Sequence, residues 1–258
     1  MRLFAHYADP GRPAAAPVAG TRLFCFPYAG GGTQVFRTWQ RHLDAGTQAV
    51  GVRLPGREQR FGEPALSSWP EALAELTEAF ATQSEQGPYA FFGHSLGARL
   101  AYELSHVLAE LGHRPPGLLV VSACRGPGRP PRWPDMHSMD RPTLAARLRE
   151  MNGVPQEVLD NPKFMDLLEP TLRADLRIAE TWQPSPGRLP LPIVALCGDG
   201  DDIDPYEDMT DWQHHTTKGF AIHTFTSGHF FLHDHERSVV RTIADHLRTI
   251  TDPLRAGA

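Results

Sequence analysis

The chain has 258 residues, 41% of them hydrophobic, with 25 basic against 30 acidic side chains and a formal net charge of −5. This length and apolar content can bury a sizeable core, while the acidic balance without a long basic run argues against general nucleic-acid affinity. No stretch has the length and apolarity of a membrane span, and Met1-Arg2-Leu3-Phe4-Ala5-His6 lacks the basic opening and apolar run of a secretory signal, so a cytoplasmic protein off the membrane is expected.

In chain order, residues 10–17 are rich in Pro and Ala and read as a loose leader. The first strand pattern, residues 22–26, runs into Pro27-Tyr28-Ala29-Gly30-Gly31-Gly32, where three glycines let the backbone approach a ligand closely. A phosphate-cradling loop is the competing reading, but the lysine and Ser/Thr of that motif are missing. A helical pattern at 36–43, a strand at 48–53 and a helix at 69–83 follow. The strand at 89–92 then ends in Gly93-His94-Ser95-Leu96-Gly97. After it, Leu100, Leu104, Val107, Leu108 and Leu111 recur at helical spacing until Gly112. Strand, G-x-S-x-G and helix in succession predict a nucleophile elbow. In it the glycines give room for a sharp turn, Ser95 is lifted above the sheet, and the Leu96 N–H faces a developing oxyanion.

A strand at 117–123 precedes a long stretch, about 125–192, that has no convincing strand. Helical patterns occupy 142–151, 156–160 and 163–182. Such an insertion would sit over the strand ends as a lid above Ser95; an ordinary crossover with extra helices is the other reading. Met136, Met139, Met151, Phe164 and Met165 are either adaptable pocket lining or simply core. After a strand at 193–197 comes Gly198-Asp199-Gly200-Asp201-Asp202-Ile203-Asp204. Its acids do not fit a calcium loop, because the sixth position from Asp199 is Asp204 and the twelfth is Thr210. The last strand, 220–226, leads to Ser227-Gly228-His229-Phe230-Phe231 and a final helix at 237–250. His233-Asp234-His235 reads as a helix start with Asp234 as a cap, not as a metal site, since residues two apart on a helix face different ways. Cys25, Cys124 and Cys197 are odd in number and sit in apolar runs, as small buried hydrophobes do.

Strand and helix alternation predicts an α/β fold with a mostly parallel sheet flanked by helices. The order serine, acid, histidine marks Ser95, an acid of the 198–204 turn and His229 as a catalytic set. Asp201 is the preferred acid, with Asp199 and Asp202 left open. The backbone N–H groups of Leu96 and Ala29 are the expected oxyanion donors, and neither a metal nor a cofactor is expected.

Five motifs in order, P-Y-A-G-G-G, L-P-G-R-E at Leu54 to Glu58, G-H-S-L-G, the acid turn and G-H-F-F-L at Gly228 to Leu232, resemble the type II thioesterases that accompany polyketide and nonribosomal peptide synthetases. The resemblance implies an α/β-hydrolase fold over residues 1–258 as a single domain, with a helical lid at about 125–192. It implies hydrolysis of acyl groups from the phosphopantetheine arm of acyl or peptidyl carrier protein domains, removing aberrant or stalled units, by a monomer. On the matching positions Ser95 is acylated, His229 is base and then acid, Asp201 orients it, and Ala29 with Leu96 binds the oxyanion. A chain-releasing acyl-carrier-protein thioesterase or a general carboxylesterase is the alternative on the same scaffold, and a hydrolase-like binding protein is a third reading. Arg57, Arg60, Arg125 and Arg129 are candidates for meeting an acidic carrier or the arm's phosphate, or else solvated surface charges.

Overall fold

Alternation along each central strand sorts its side chains onto the two sides of one sheet. In the computed structural model, which describes residues 3–7 and 20–251, Phe24, Phe26, Tyr89 and Phe91 pack on one side, and Leu23, Cys25, Ala90 and Phe92 on the other. Both layers are apolar, so these strands read as unbroken hydrophobic runs.

The elements in chain order are β1 (Phe4–His6), β2 (Thr21–Phe26), β3 (Thr47–Val52), α1 (Trp69–Gln83), β4 (Tyr89–His94), α2 (Leu96–Glu110), β5 (Leu119–Ser122), α3 (Arg141–Met151), α4 (Gln156–Leu159), α5 (Pro162–Glu180), β6 (Ile193–Gly198), α6 (Tyr206–Met209), β7 (Phe220–Phe225), α7 (Phe231–Asp234) and α8 (Glu236–Thr251). The sheet order is β1-β3-β2-β4-β5-β6-β7. Every neighbouring pair is parallel except β1 with β3, where Phe4 faces Val52. This is the mostly parallel, helix-flanked sheet of the α/β-hydrolase expectation. On one side α1 and α2 cover the aromatic layer. On the other, Val239, Val240, Ile243 and Leu247 of α8 close the second layer at helical spacing.

One element is added and one local expectation is corrected. The three-residue β1, outside the strand patterns read from the sequence, is an edge strand paired antiparallel with β3. Residues 36–43 do not form an α-helix but two 3-10 turns, Thr33–Phe36 and Trp39–Arg41. Spacing by three explains it: residues i and i+3 eclipse in 3-10 geometry. Phe36 and Trp39 thereby meet edge to face with ring centroids 5.0 Å apart and reach Phe92 at 5.9 and 4.7 Å. Residues 10–17, read as a leader, lie outside the described residues.

Between β5 and β6 the chain builds α3, α4 and α5 around a third apolar cluster, with Met136, Leu144, Leu148, Met165, Leu172 and Leu176 inside. Asp140 caps α3 by accepting from Thr143 N–H at 2.8 Å, and Asn161 caps α5 ahead of Pro162. The C-terminal half of α5 is fastened to the sheet layer. Thr171 Oγ1 donates to the Gly56 carbonyl at 2.9 Å, Trp69 Nε1 donates to the Ile178 carbonyl at 2.8 Å, and Arg99 donates to the Ala179 carbonyl. Its N-terminal half, before the helix-interior Pro170, leaves Phe164 and Leu167 exposed.

The three cysteines are free and buried. Burial pushes the thiols of Cys124 and Cys197 up to about 11 and that of Cys25 well above its ordinary value. Among the described residues no helix is long and apolar enough to cross a membrane.

Candidate active site

β4 delivers the chain to Ser95, which turns it into α2 at φ 53° and ψ −115°. An L-residue stays in that conformation only when its surroundings hold it there. Ser95 N–H donates to the Ser122 carbonyl on β5 at 2.8 Å. The flanking glycines supply the space: a Cβ on Gly93 would lie 2.2 Å from the Gly97 carbonyl oxygen, and one on Gly97 would lie 2.2 Å from the Phe26 carbonyl oxygen. Direct backbone contact between the end of β2 and the start of α2 thus brings the glycine-rich loop against the elbow. Ser95 itself is only half-buried. Among the described residues, neither Leu96 N–H nor Ala29 N–H has an acceptor.

The acid turn and the histidine loop meet where β6 and β7 end. Gly198 permits the approach, since a Cβ there would sit 2.2 Å from the Ser227 carbonyl oxygen. His229 Nδ1 hydrogen-bonds Asp201 Oδ2 at 2.9 Å, and both residues are 4% exposed. The other Asp201 oxygen accepts from the N–H groups of Ile203 and Asp204 at 2.8 and 3.0 Å, which fixes the carboxylate. Asp199 and Asp202, the alternatives left open by the sequence, are exposed. With Nδ1–H committed to Asp201, Nε2 is left as the basic nitrogen.

Two neighbours went unrecognised in the sequence. Asp204 is 3% exposed and holds an oxygen 3.7 Å from His229 Nδ1, while its other oxygen accepts from Arg125 Nε at 2.7 Å and Arg125 N–H at 3.1 Å. His94 lies under the histidine loop, 5.4 Å from the His229 ring and 5.8 Å from that of Phe230, with Nδ1 bonded to Ser122 Oγ at 2.9 Å. Burial drives the His94 pKa well below the ordinary 6.5, helped by His229 and His233, so this ring is a neutral platform. For His229, burial is the largest influence and lowers the pKa. The Asp201 hydrogen bond, the Asp201 charge and the Asp204 charge together outweigh it and the opposing Arg99, so the pKa is raised above 6.5. A chemical-shift titration of His229 should therefore have its midpoint above 6.5. Asp204→Asn, which removes a negative charge and so destabilises the imidazolium, should move that midpoint down. An unchanged midpoint would leave Asp204 no electrostatic part in the site.

The L-P-G-R-E segment is a brace for the glycine loop. Glu58, at φ 49°, accepts from Thr33 Oγ1 at 2.6 Å, Gln34 N–H at 3.1 Å and Arg53 Nε at 2.7 Å. Arg57 donates to the Gly31 carbonyl at 2.8 Å and grips Asp175 of α5 through two bonds of 2.9 and 2.8 Å. This corrects the reading of the arginines. Arg57, Arg60 and Arg125 are 7, 9 and 6% exposed and paired with Asp175, Glu63 and Glu75, and Asp204 respectively. They are buried ties and offer no docking surface. Arg129 is half exposed but pairs with Asp208 and Asp211. Asp234, expected as a helix cap, instead accepts from Ser227 Oγ at 2.6 Å and closes the histidine loop.

Two cavities open beside these residues. One of about 520 Å³ is lined by Gly30, Gly31 and Gly32, by Phe61, and by Val158, Phe164, Leu167 and Leu168 of the helical insertion. The other, about 650 Å³, holds Asp201 and His229 with Arg132, Trp133, Asn152 and His233. Of the residues named as core or lining, Met136 and Met165 are core, Met139 packs against it, Phe164 lines the first cavity and Met151 the second. Among the described residues, the three side chains close enough to share an ion are Asp135, His137 and Glu180, none of which belongs to the set above.

A family model described as a thioesterase domain matches residues 21–247. The chain is 35% identical over 234 residues to the thioesterase PikA5 of Streptomyces venezuelae, covering 90% of this chain and 83% of that protein. It is 30% identical to the gramicidin S biosynthesis protein GrsT of Aneurinibacillus migulanus, over 91% of this chain and 92% of that protein. Among solved structures, the type II thioesterase BorB from the borrelidin biosynthetic cluster superposes with a TM-score of 0.84 at 32% identity, covering 96% of this chain and 98% of BorB.

Proposed function

The chain belongs to the thioesterase-domain family, and on that premise we propose that it hydrolyses acyl thioesters from the phosphopantetheine arm of carrier proteins, clearing aberrant or stalled acyl units from a polyketide or nonribosomal peptide synthetase. The observation that supports the mechanism is the buried His229–Asp201 pair, whose imidazole lies 5.4 Å from the ring of His94, the residue before the elbow serine. Ser95 Oγ attacks the thioester carbonyl carbon as its proton passes to His229 Nε2. The oxyanion accepts from the Ala29 and Leu96 N–H groups, which have no acceptor of their own among the described residues. The carbon–sulfur bond then breaks, the thiol leaves with the proton from His229, and Ser95 is acylated. Water gives a proton to His229 and attacks the acyl carbon; the acid departs and Ser95 recovers its hydrogen. Asp201 holds the imidazole in one tautomer and stabilises the imidazolium that forms twice per cycle.

Carrier partners follow from the same reading. The mainly apolar cavity beside the glycine loop suits an acyl chain. The polar cavity along Asp201 and His229 suits the arm, with the exposed Arg132 at its edge for the phosphate. The test presents one acyl group on a holo carrier protein, on a pantetheine mimic and as a simple oxygen ester. The reading expects kcat/KM to be highest for the carrier-bound thioester, by about 10-fold or more over the mimic, which corresponds to ~1.4 kcal/mol or more of transition-state stabilisation from contacts with the carrier itself. Preference for the oxygen ester would instead make the chain a carboxylesterase on this scaffold.

A further inference from the structure

The oxyanion loop is fastened to a helix of the insertion, not only to the sheet that carries the nucleophile. Tyr28 to Gly31 form a tight turn, with Gly31 N–H donating to the Tyr28 carbonyl at 2.9 Å and Gly30 at φ 73°. Gly30 N–H, inside the turn, donates to Asp175 Oδ2 at 2.7 Å. The same carboxylate takes both guanidinium bonds of Arg57, and Arg57 NH1 also donates to the Gly31 carbonyl. Leu172, one turn before Asp175 on α5, lies against Gly30: a Cβ there would meet Leu172 Cδ1 at 3.1 Å. A loop with three successive glycines has little conformational preference of its own. Its shape is therefore set by these contacts, and most of them come from α5 or through Arg57.

We propose that Asp175 and Arg57 are positioning residues for thioester hydrolysis, holding the turn that carries the Ala29 N–H, so that the oxyanion hole is complete only while the C-terminal half of α5 is seated. This rests on the catalytic reading above. Asp175 is 1% exposed, so its buried charge beneath the glycine turn would be costly without a counterion. Arg57 supplies that counterion through the bidentate pair, and the pair is neutral as a whole. The helical insertion thus has two functions in one element. Phe164, Leu167 and Leu168 before Pro170 line the apolar cavity together with Thr171 and Leu172, and Asp175 one turn further on holds the glycine turn. Loss of the tie would let the donor drift by a fraction of an ångström to an ångström, which weakens a transition-state contact more than ground-state binding in the apolar cavity that Gly30 to Gly32 and Arg57 also line.

The test compares two ligands of the same acyl chain on pantetheine. A trifluoromethyl ketone forms a tetrahedral adduct with Ser95 and places an oxyanion in the hole; a thioether binds without forming one. Asp175→Ala should lower kcat and ketone affinity roughly 10- to 100-fold while thioether affinity and KM stay within about threefold. The double variant Arg57→Gln/Asp175→Asn preserves net charge and the size of residue 175 and leaves no unpaired buried charge, so it is the variant expected to fold most readily. It should show the same selective loss at a smaller size, roughly 3- to 10-fold, because neutral hydrogen bonds replace charged ones. Unchanged ketone affinity in a folded variant, or equal losses for both ligands, would overturn the proposal. Failure of the catalytic reading itself looks different: the wild-type protein would then bind the ketone no more tightly than the thioether.

Discussion

Replacing Ser95 by alanine is expected to lower kcat for thioester hydrolysis by roughly 10⁴-fold or more while the protein keeps its fold. On the transition-state scale a factor of 10⁴ is about 5.5 kcal/mol, far more than any single surface contact supplies. The loss arises because covalent catalysis is removed whole: without Oγ, His229 has no nucleophile to activate and water must attack the thioester directly. What survives is the contribution of the oxyanion donors and of binding, so the residual rate should remain above that of free solution. Stability should change little, since the strain at φ 53° belongs to the backbone and is the same for alanine, and since Ser95 N–H keeps its bond to the Ser122 carbonyl. Adding His229→Ala to Ser95→Ala should cost almost nothing further, because the two residues act as one unit. Initial rates with a pantetheine thioester, together with a thermal melt, decide it. A residual rate within tenfold of wild type would sink the serine mechanism.

The second large effect is on the scaffold. Gly97→Ala is expected to destabilise the protein by about 3 kcal/mol or more, or about 6 to 12 °C in melting temperature for a chain of this size. The new Cβ would lie 2.2 Å from the Phe26 carbonyl oxygen, 2.6 Å from its carbon and 2.8 Å from the Pro27 carbonyl oxygen. All three atoms are backbone, so no side-chain rotation relieves the clash. The start of α2 must move from the end of β2, which separates the Leu96 N–H from the loop bearing Ala29. Activity should fall with stability even at temperatures where the variant is folded. Gly46→Ala is the control, with nothing within 4 Å of its added Cβ, and should stay within about 0.5 kcal/mol of wild type. Equal urea midpoints for both variants and wild type would refute the crowding argument.

The contrast between the arginines and the elbow explains what could be read in advance. The elbow is local: Gly93, Ser95 and Gly97 lie within five residues, and the steric demand that selects glycine acts between neighbours in the chain and the strand beside it. Arg57 finds Asp175 across 118 residues, so nothing near L-P-G-R-E announces that its guanidinium is buried. A partial signal existed on the other side of the pair. Asp175 shares the buried face of α5 with Thr171, Leu172, Leu176 and Ile178, and a carboxylate on an apolar stripe requires a partner. That signal says a cation is coming without saying which. Asp204 is similar: the acid turn has six positions from Asp199 to Asp204, four of them acidic, and only the packing of β6 against the histidine loop separates the buried Asp201 and Asp204 from the exposed Asp199 and Asp202.

Periodicity, glycine placement and motif order thus determined the sheet, its flanking helices and the positions of Ser95, the acid turn and His229, because hydrophobic alternation and backbone sterics are short-range forces written along the chain. The two 3-10 turns, the edge strand β1, the choice among the acids, the neutral His94 platform and the tie from α5 to the glycine loop were decided by tertiary structure alone. Each depends on which side chain a distant segment brings into a space that water has left. There, an unpaired charge or N–H costs more free energy than local propensity can offset.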